Sequence, residues 1–148
     1  MAFHWKFSHH FCMVISNVRK SWSRQVAVSN WGNLENPCLQ TCDIKEFDIV
    51  GLQKGVFKVS VIGDCYLATS GLPDIRDDKA EVMAKFSVEC HKIFGVVTTE
   101  LSYTFGSETT YLNLRCGLHY GPVTAGVLRG LRSRFEIFGD TANTTSRI

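Results

Sequence analysis

The chain has 148 residues, the length of a single domain, and 45% of them are hydrophobic, which is enough for a packed core. Its 16 Lys and Arg residues against 14 Asp and Glu residues give a net charge of +2, so the overall charge favours neither nucleic acid nor an anionic membrane as a partner. No apolar run approaches the roughly 18 residues that a membrane-spanning helix needs. We therefore expect a domain with no nucleic-acid partner and no membrane span.

The six cysteines favour a reducing compartment. Cys65, Cys90 and Cys116 lie inside apolar, patterned segments, where buried free thiols are common. Cys38 and Cys42 lie close together, but no second Cys or His pair accompanies them, so a zinc site is not expected. The expected location is cytoplasmic, which leaves open a membrane anchor elsewhere in a parent protein.

Residues 1–42 stand apart from the rest of the chain. Residues 1–30 contain four basic residues and no Asp or Glu, and an acid-free, Ser-containing leader is typical of a targeting segment. A poorly ordered extension outside the fold explains the same composition. Residues 1–42 stay unassigned between these alternatives, and the folded domain is placed at residues 43–148.

After a first helix, the domain is expected to contain two strands of a hairpin. Residues 56–62 and 65–69 are rich in β-branched and apolar residues, and Gly63-Asp64 connects them. A carboxylate on so tight a turn can hold Mg²⁺. A Gly-Asp pair is also a common hairpin turn with no other role. Asp64 is therefore a candidate metal ligand with a purely structural alternative.

A helix follows, from a cap at Asp77 or Asp78 to about Phe94. Its apolar residues recur at spacings of three and four, which indicates one buried stripe. The stripe consists of Met83, Phe86, Cys90, Ile93 and Val97. We interpret it as core rather than as a cofactor site.

The last third of the chain contains further strands. Residues 103–110 read as a polar loop, residues 112–119 alternate as a half-buried strand, and Gly121-Pro122 breaks that strand. Residues 123–128 form a short segment of small residues, and residues 135–138 form the last strand. This order of elements predicts an α+β fold, with an antiparallel-rich sheet and helices on one face.

The final helix, which starts at Asp140, carries the most specific chemistry. Asn143 and Arg147 are four residues apart, so both side chains project from one face. An amide beside a guanidinium suits a sugar and a phosphate in one pocket. The alternative is a capped helix with two solvated polar residues. His119 is interpreted as a packed or capping residue rather than as a base.

Three blocks of the sequence resemble the catalytic domain of class III adenylate and guanylate cyclases. They are residues 56–73 (VFKVSVIGDCYLATSGLP), 112–127 (LNLRCGLHYGPVTAGV) and 134–148 (RFEIFGDTANTTSRI). Residues 78–90 (DKAEVMAKFSVEC) resemble the helix between the first two blocks. The blocks follow the family's order over about residues 46–148, which is far more specific than any one block alone. The resemblance implies a ferredoxin-like nucleotide cyclase fold, here truncated.

The resemblance also implies an activity. In the family, a phosphorus–oxygen lyase reaction converts ATP or GTP to a 3′,5′-cyclic nucleotide and pyrophosphate in intracellular signal transduction. The ribose 3′-OH attacks the α-phosphate in line, with two Mg²⁺ or Mn²⁺ ions bound. The sites lie across a head-to-tail dimer interface, which implies a homodimer or a heterodimer with another cyclase domain.

Individual residues match the family's site. Asp64 matches a metal aspartate, and Ile62 matches a main-chain contact to the metal. Asn143 matches the residue that orients the ribose, and Arg147 matches the one that stabilises the transition state. Because the site is shared, Asp64 and the Asn143/Arg147 pair of one site are expected to come from different subunits.

Two positions bear on the choice of base. Ser60 stands where guanylate cyclases have Glu and adenylate cyclases have Lys, so it fits neither pattern. Glu136 stands where adenylate cyclases commonly have Asp and guanylate cyclases have Cys. A carboxylate there can accept a hydrogen bond from the adenine amino group but would repel the guanine O6, and Ser60 can donate to adenine N1. The two residues favour ATP.

The family's other metal aspartate lies in an early strand motif, and Phe47-Asp48-Ile49-Val50-Gly51 is similar to it. Asp48, however, precedes Asp64 by only sixteen positions, too few for the strand and two helices that separate the family's aspartates. Asp48 is therefore expected on the helix before the hairpin, as an exposed residue. The first strand and its metal ligand are then expected to be missing, which leaves an open sheet edge.

Three interpretations stay open. The domain is an incomplete nucleotide cyclase, or it is a catalytically inactive dimerisation or regulatory module that supplies Asn143 and Arg147 to a partner, or it is an unrelated α+β binding domain. The ordered motifs favour the first two.

Overall fold

The computed structural model describes residues 3–19, 37–62, 65–72, 74–107, 112–128 and 133–148. For residues 3–19, 37–43, 104 and 105 it describes the backbone only. The elements in chain order are β1 (Phe3–Arg19), α1 (Pro37–Lys54), β2 (Phe57–Ile62), β3 (Cys65–Ser70), α2 (Lys79–Phe105), β4 (Leu112–Leu128), β5 (Arg134–Phe138) and α3 (Asp140–Arg147). The strands form one antiparallel sheet in the order β2-β3-β1-β4-β5. An α+β fold with an antiparallel sheet is confirmed.

β1 lies in the centre of this sheet, paired with β3 on one side and with β4 on the other. This corrects the expectation that residues 1–42 leave the place of the first strand open. The apolar run at residues 11–15 is too short for a signal peptide, and such a run is typical of a central strand. β1 contains no Asp or Glu, so it does not supply the second metal aspartate of the family pattern.

α1 and α2 cover one face of the sheet, as predicted. Their main core cluster includes Phe47 from α1, the fully buried Met83, Phe86 and Cys90 from α2, and Leu114 from β4. The apolar stripe of the long helix is therefore core. Among the described helices, none is long and apolar enough to cross a membrane.

α2 is longer than the sequence suggested, because it continues past Phe94 to Phe105. Gly95 lies inside the helix, and its carbonyl oxygen accepts hydrogen bonds from Thr98 Oγ1 at 3.1 Å and Thr99 Oγ1 at 2.7 Å. The helix ends at Gly106, whose φ of 96° favours glycine. The predicted loop at residues 103–110 is thus helical over its first part.

Asp78 is the N-cap residue of α2, but its carboxylate makes no capping hydrogen bond. It accepts from Arg76 instead, at 2.6 Å from Nε and 2.8 Å from Nη2. Arg76 Nη1 also donates to the carbonyl oxygens of Lys54, at 2.9 Å, and Gly55. Arg76 therefore joins the end of α1 to the start of α2.

β4 runs through Gly121-Pro122 without the predicted break. On β1, Phe7 pairs with Val123 and His10 pairs with Gly121, so two β1 residues lie opposite Pro122 at a bulge. Proline has no N–H to donate to a ladder, and a bulge is one of the few places where a sheet accepts it. A single strand therefore replaces the predicted strand and short segment.

Cys90 and Cys116 form no disulfide. Burial raises the pKa of the Cys116 thiol from its ordinary 9.0 to about 12. Burial, and then the neighbouring Cys116 and Glu89, raise the pKa of Cys90 as well. Cys90 and Cys116 thus behave as core residues, as their places in apolar, patterned segments predict.

These raised values predict a loss of stability at high pH. A folded-state pKa above the unfolded value contributes stability that is complete below about pH 9 and declines as pH rises toward 12. Urea unfolding between pH 8 and 11 should show a shallower decline of the unfolding free energy for Cys116→Val than for wild type. Parallel declines in the two proteins would contradict this assignment.

Candidate active site

α3 follows β5 through a turn that only glycine forms easily. Gly139 has a φ of 130°, and its carbonyl oxygen accepts a hydrogen bond from the Asn143 backbone N–H at 3.3 Å. Asp140 lies in the first turn of α3 and Arg147 in the last, which matches the direction of the helix dipole. The predicted helix is therefore present over Asp140–Arg147.

The two faces of α3 differ sharply. Thr141 and Thr145 are 3% and 1% exposed and lie against the sheet. Asn143 and Arg147 are exposed, and each lies two positions after one of these threonines, on the outward face. The amide and the guanidinium are thus presented to solvent side by side, as their spacing predicts.

α3 lies close against β4 because two glycines leave room for it. A Cβ added at Gly117 would overlap the Thr145 carbonyl oxygen, and one added at Gly121 would lie 2.5 Å from Thr141 Oγ1. Thr141 Oγ1 donates to the Pro122 carbonyl oxygen at 2.6 Å, and Thr145 Oγ1 donates to the Thr141 carbonyl oxygen at 2.6 Å. The roles of these residues were not predicted, although the four-residue spacing within each pair was a visible signal.

α3 packs on the face of the sheet opposite to α1 and α2. Gly117 lies between Cys116 and Leu118, which pack into the core under the long helices, so it faces the other way. On that second face Ala142 of α3 contacts a smaller core built from Leu72, Val123, Ala125 and Ile137. The two long helices therefore lie on one face of the sheet, as predicted. The helix α3, which carries Asn143 and Arg147, lies on the opposite face.

The candidate metal residues belong to the β2–β3 hairpin. Ile62 is the last residue of β2, pairs with Cys65 and is 65% exposed. Asp64 and Gly63 lie outside the described residues. A carboxylate and a main-chain carbonyl are oxygen donors, which suit Mg²⁺ or Mn²⁺. Elsewhere in the described parts of the chain, no group of three His, Cys, Asp or Glu side chains is placed to hold a metal.

The candidate base-binding residues lie on the two edge strands, β2 and β5. These edges approach each other, since the Phe57 and Phe135 ring centroids are 5.3 Å apart in an edge-to-face contact. Ser60 Oγ is buried without a hydrogen-bond partner in the described structure. Glu136 is half-buried between Phe135 and Ile137, so it points away from the cluster that contains them. The structure brings the strands together but shows no contact between Ser60 and Glu136.

Asp48 lies on α1, as predicted, yet it is not a free surface residue. Its Oδ2 accepts from Lys58 Nζ at 2.6 Å, and its Oδ1 accepts from the Tyr66 hydroxyl at 2.9 Å. Burial, and then the hydrogen bond to Asp48, raise the pKa of Tyr66, so this hydroxyl stays protonated and donates. Both carboxylate oxygens are engaged, which argues against Asp48 as a metal ligand.

A groove of about 340 Å³ runs along β4 to the start of α3. His119, Tyr120, Phe138 and Asp140 are among the residues that line it. His119 is half-buried there, so it is neither a core histidine nor fully solvated.

The sequence model for the adenylate and guanylate cyclase catalytic domain matches residues 37–148. The receptor-type guanylate cyclase gcy-28 of Caenorhabditis elegans is 42% identical over 94 residues, which is 63% of this chain but 7% of that protein. The chain therefore spans a small part of this relative.

Two solved structures share the fold. The catalytic core of a rhodopsin-guanylyl cyclase with converted specificity, in complex with ATPαS, has a TM-score of 0.73 and 27% identity. The guanylate cyclase domain of RhGC from Catenaria anguillulae, in complex with GTP, has a TM-score of 0.71 and 27% identity. Each alignment covers 97% of this chain and 72% of the other. The chain belongs to the family of adenylate and guanylate cyclase catalytic domains.

Proposed function

We propose that this domain converts a nucleoside triphosphate to its 3′,5′-cyclic nucleotide and pyrophosphate, as part of a dimer. The observation that carries the proposal is α3, which buries Thr141 and Thr145 and leaves Asn143 and Arg147 exposed together in a member of the cyclase family. An exposed pair with no partner in the described structure is available to a ligand or to a site completed by a second subunit.

In the proposed reaction, the ribose 3′-oxygen forms a bond to the α-phosphorus while the bond from that phosphorus to the bridging oxygen breaks. Pyrophosphate leaves, and the hydroxyl proton is released. Asn143 holds the ribose through its amide, and Arg147 donates to the phosphoryl oxygens as their charge grows. When bound through Asp64 and the Ile62 carbonyl, Mg²⁺ or Mn²⁺ would supply activation of the hydroxyl and charge neutralisation.

We propose ATP as the preferred substrate. The Glu136 carboxylate has no ion-pair partner among the described residues, and the buried Ser60 hydroxyl has no hydrogen-bond partner there, so neither group is committed to another residue. A carboxylate accepts from the adenine amino group and repels the guanine O6. An orphan buried hydroxyl costs about 1–3 kcal/mol, a cost that a bound base would remove.

The dimer partner bears on metal binding. β1 contains no carboxylate, so we infer that the favoured assembly is a heterodimer, in which another cyclase domain supplies both metal aspartates to the site that contains this chain's α3. The reduced thiols of Cys90 and Cys116 support a cytoplasmic location.

Product formation tests the proposal directly. The chain alone, and the chain mixed with a cyclase domain whose own residues matching Asn143 and Arg147 have been replaced, should be incubated with ATP or GTP and Mg²⁺ or Mn²⁺. Cyclic AMP should form and should disappear when a chelator removes the metal. A Glu136→Ala variant should lower the ratio of ATP to GTP turnover. Absence of any cyclic product, alone or mixed, would refute the activity, and a preference for GTP would refute the substrate.

A further inference from the structure

Asp48 joins three elements through two short contacts. It lies on α1, and its carboxylate binds Lys58 on β2 at 2.6 Å and Tyr66 on β3 at 2.9 Å. The other ion pairs of the described structure are local. Lys85–Glu81 and Lys92–Glu89 lie within α2, and Arg76–Asp78 spans two positions. In the described residues, Asp48–Lys58 is thus the ion pair that links separate elements.

The tyrosine side of this link is rigid. Tyr66 is 3% exposed, and its ring lies 5.8 Å from the Phe47 ring and 6.3 Å from the Phe86 ring, centroid to centroid. Lys58 Nζ lies 5.6 Å from the centre of the same ring. Because packing fixes the ring, the hydroxyl holds the Asp48 carboxylate at a defined place, and the carboxylate in turn holds Lys58.

The two contacts of Asp48 lie next to the hairpin residues that are assigned to the proposed site. Lys58 pairs with Ala68 and Ser60 pairs with Leu67, so Val59 is an extra residue in a bulge immediately after Lys58. Bulges re-aim the side chains that follow them, here Ser60. Tyr66 pairs with Val61, which lies between Ser60 and Ile62. The two contacts of Asp48 therefore fix β2 and β3 next to Ser60 and Ile62.

We propose that Asp48 is a positioning residue, which acts through Lys58 and Tyr66 to fix strands β2 and β3 and so to place Ser60 and Ile62; the inference rests on the proposed function. Asp48 touches neither substrate nor metal in this role. Residues 47–51 resemble the family motif whose aspartate binds a metal, so the proposed role of Asp48 differs from the role of that aspartate.

Paired variants test this role. Tyr66→Phe removes only the hydroxyl, and Lys58→Met removes the cation at similar length. Each should raise the KM for the nucleotide and the metal concentration for half-maximal rate by about tenfold, with a smaller effect on kcat. Lys58→Arg should restore most of the loss. Glu81→Gln, which breaks an exposed pair within α2, is the matched control and should change neither quantity.

Amide hydrogen exchange on the same proteins separates this role from general destabilisation. Amides of the hairpin should exchange about tenfold faster in Tyr66→Phe and Lys58→Met, with α2 unchanged. Unchanged hairpin exchange, or equal acceleration in every element, would overturn the proposal. If wild type forms no product at all, the proposed function fails, while the exchange result still decides whether Asp48 holds the hairpin.

Discussion

Replacing Arg147 with alanine should lower the rate of cyclic nucleotide formation by about 10²- to 10³-fold, the usual effect of removing one donor that stabilises transition-state charge. Arg147 is exposed on α3, and its side chain makes no hydrogen bond or ion pair with the other described residues. Its loss should therefore leave the packing of Thr141 and Thr145 intact. The loss should appear in kcat, measured as product formed at saturating nucleotide, because the charge develops only in the transition state.

Two further variants make this result specific. Arg147→Lys keeps the charge but loses the planar fork that donates two parallel hydrogen bonds, so it should recover only part of the rate. Arg115→Ala removes another exposed arginine, on β4, and should leave kcat unchanged. Circular dichroism should show the same helix content in all three proteins. An Arg147→Ala protein with wild-type kcat would remove α3 from the proposed mechanism.

The elements that were predicted well depend on local pattern. α3 and the β2–β3 hairpin follow from turn residues at Gly139 and Gly63-Asp64 and from short-range spacing. The exposed face of Asn143 and Arg147 follows from helix geometry alone. For these elements no distant part of the chain had to be known.

The errors arose where a distant partner decides the outcome. Pro122 remains within β4 because a bulge in β1, more than one hundred positions earlier, accommodates its missing donor. Asp48 read as a surface residue because its partners, Lys58 and Tyr66, reach it only after α1 folds against the hairpin. The central place of β1 likewise depends on pairing with β3 and β4, which composition does not reveal.

Replacing Gly117 with alanine should both destabilise the domain and reduce its activity. The added Cβ would overlap a backbone atom, the Thr145 carbonyl oxygen, which cannot rotate away as a side chain can. α3 must therefore move from β4, at a cost of about 1–3 kcal/mol in the free energy of unfolding. A displacement of about 1 Å at Asn143 and Arg147 is enough to lower kcat by about 10²-fold.

Gly95→Ala provides the matched comparison. Gly95 lies inside α2, and a Cβ added there meets nothing within 4 Å. Since alanine favours a helix over glycine by about 1 kcal/mol, this variant should raise the free energy of unfolding and leave kcat unchanged. Urea unfolding and steady-state kinetics on both variants measure the contrast. If Gly117→Ala were as stable and as active as Gly95→Ala, close contact between α3 and β4 could not be what positions Asn143 and Arg147.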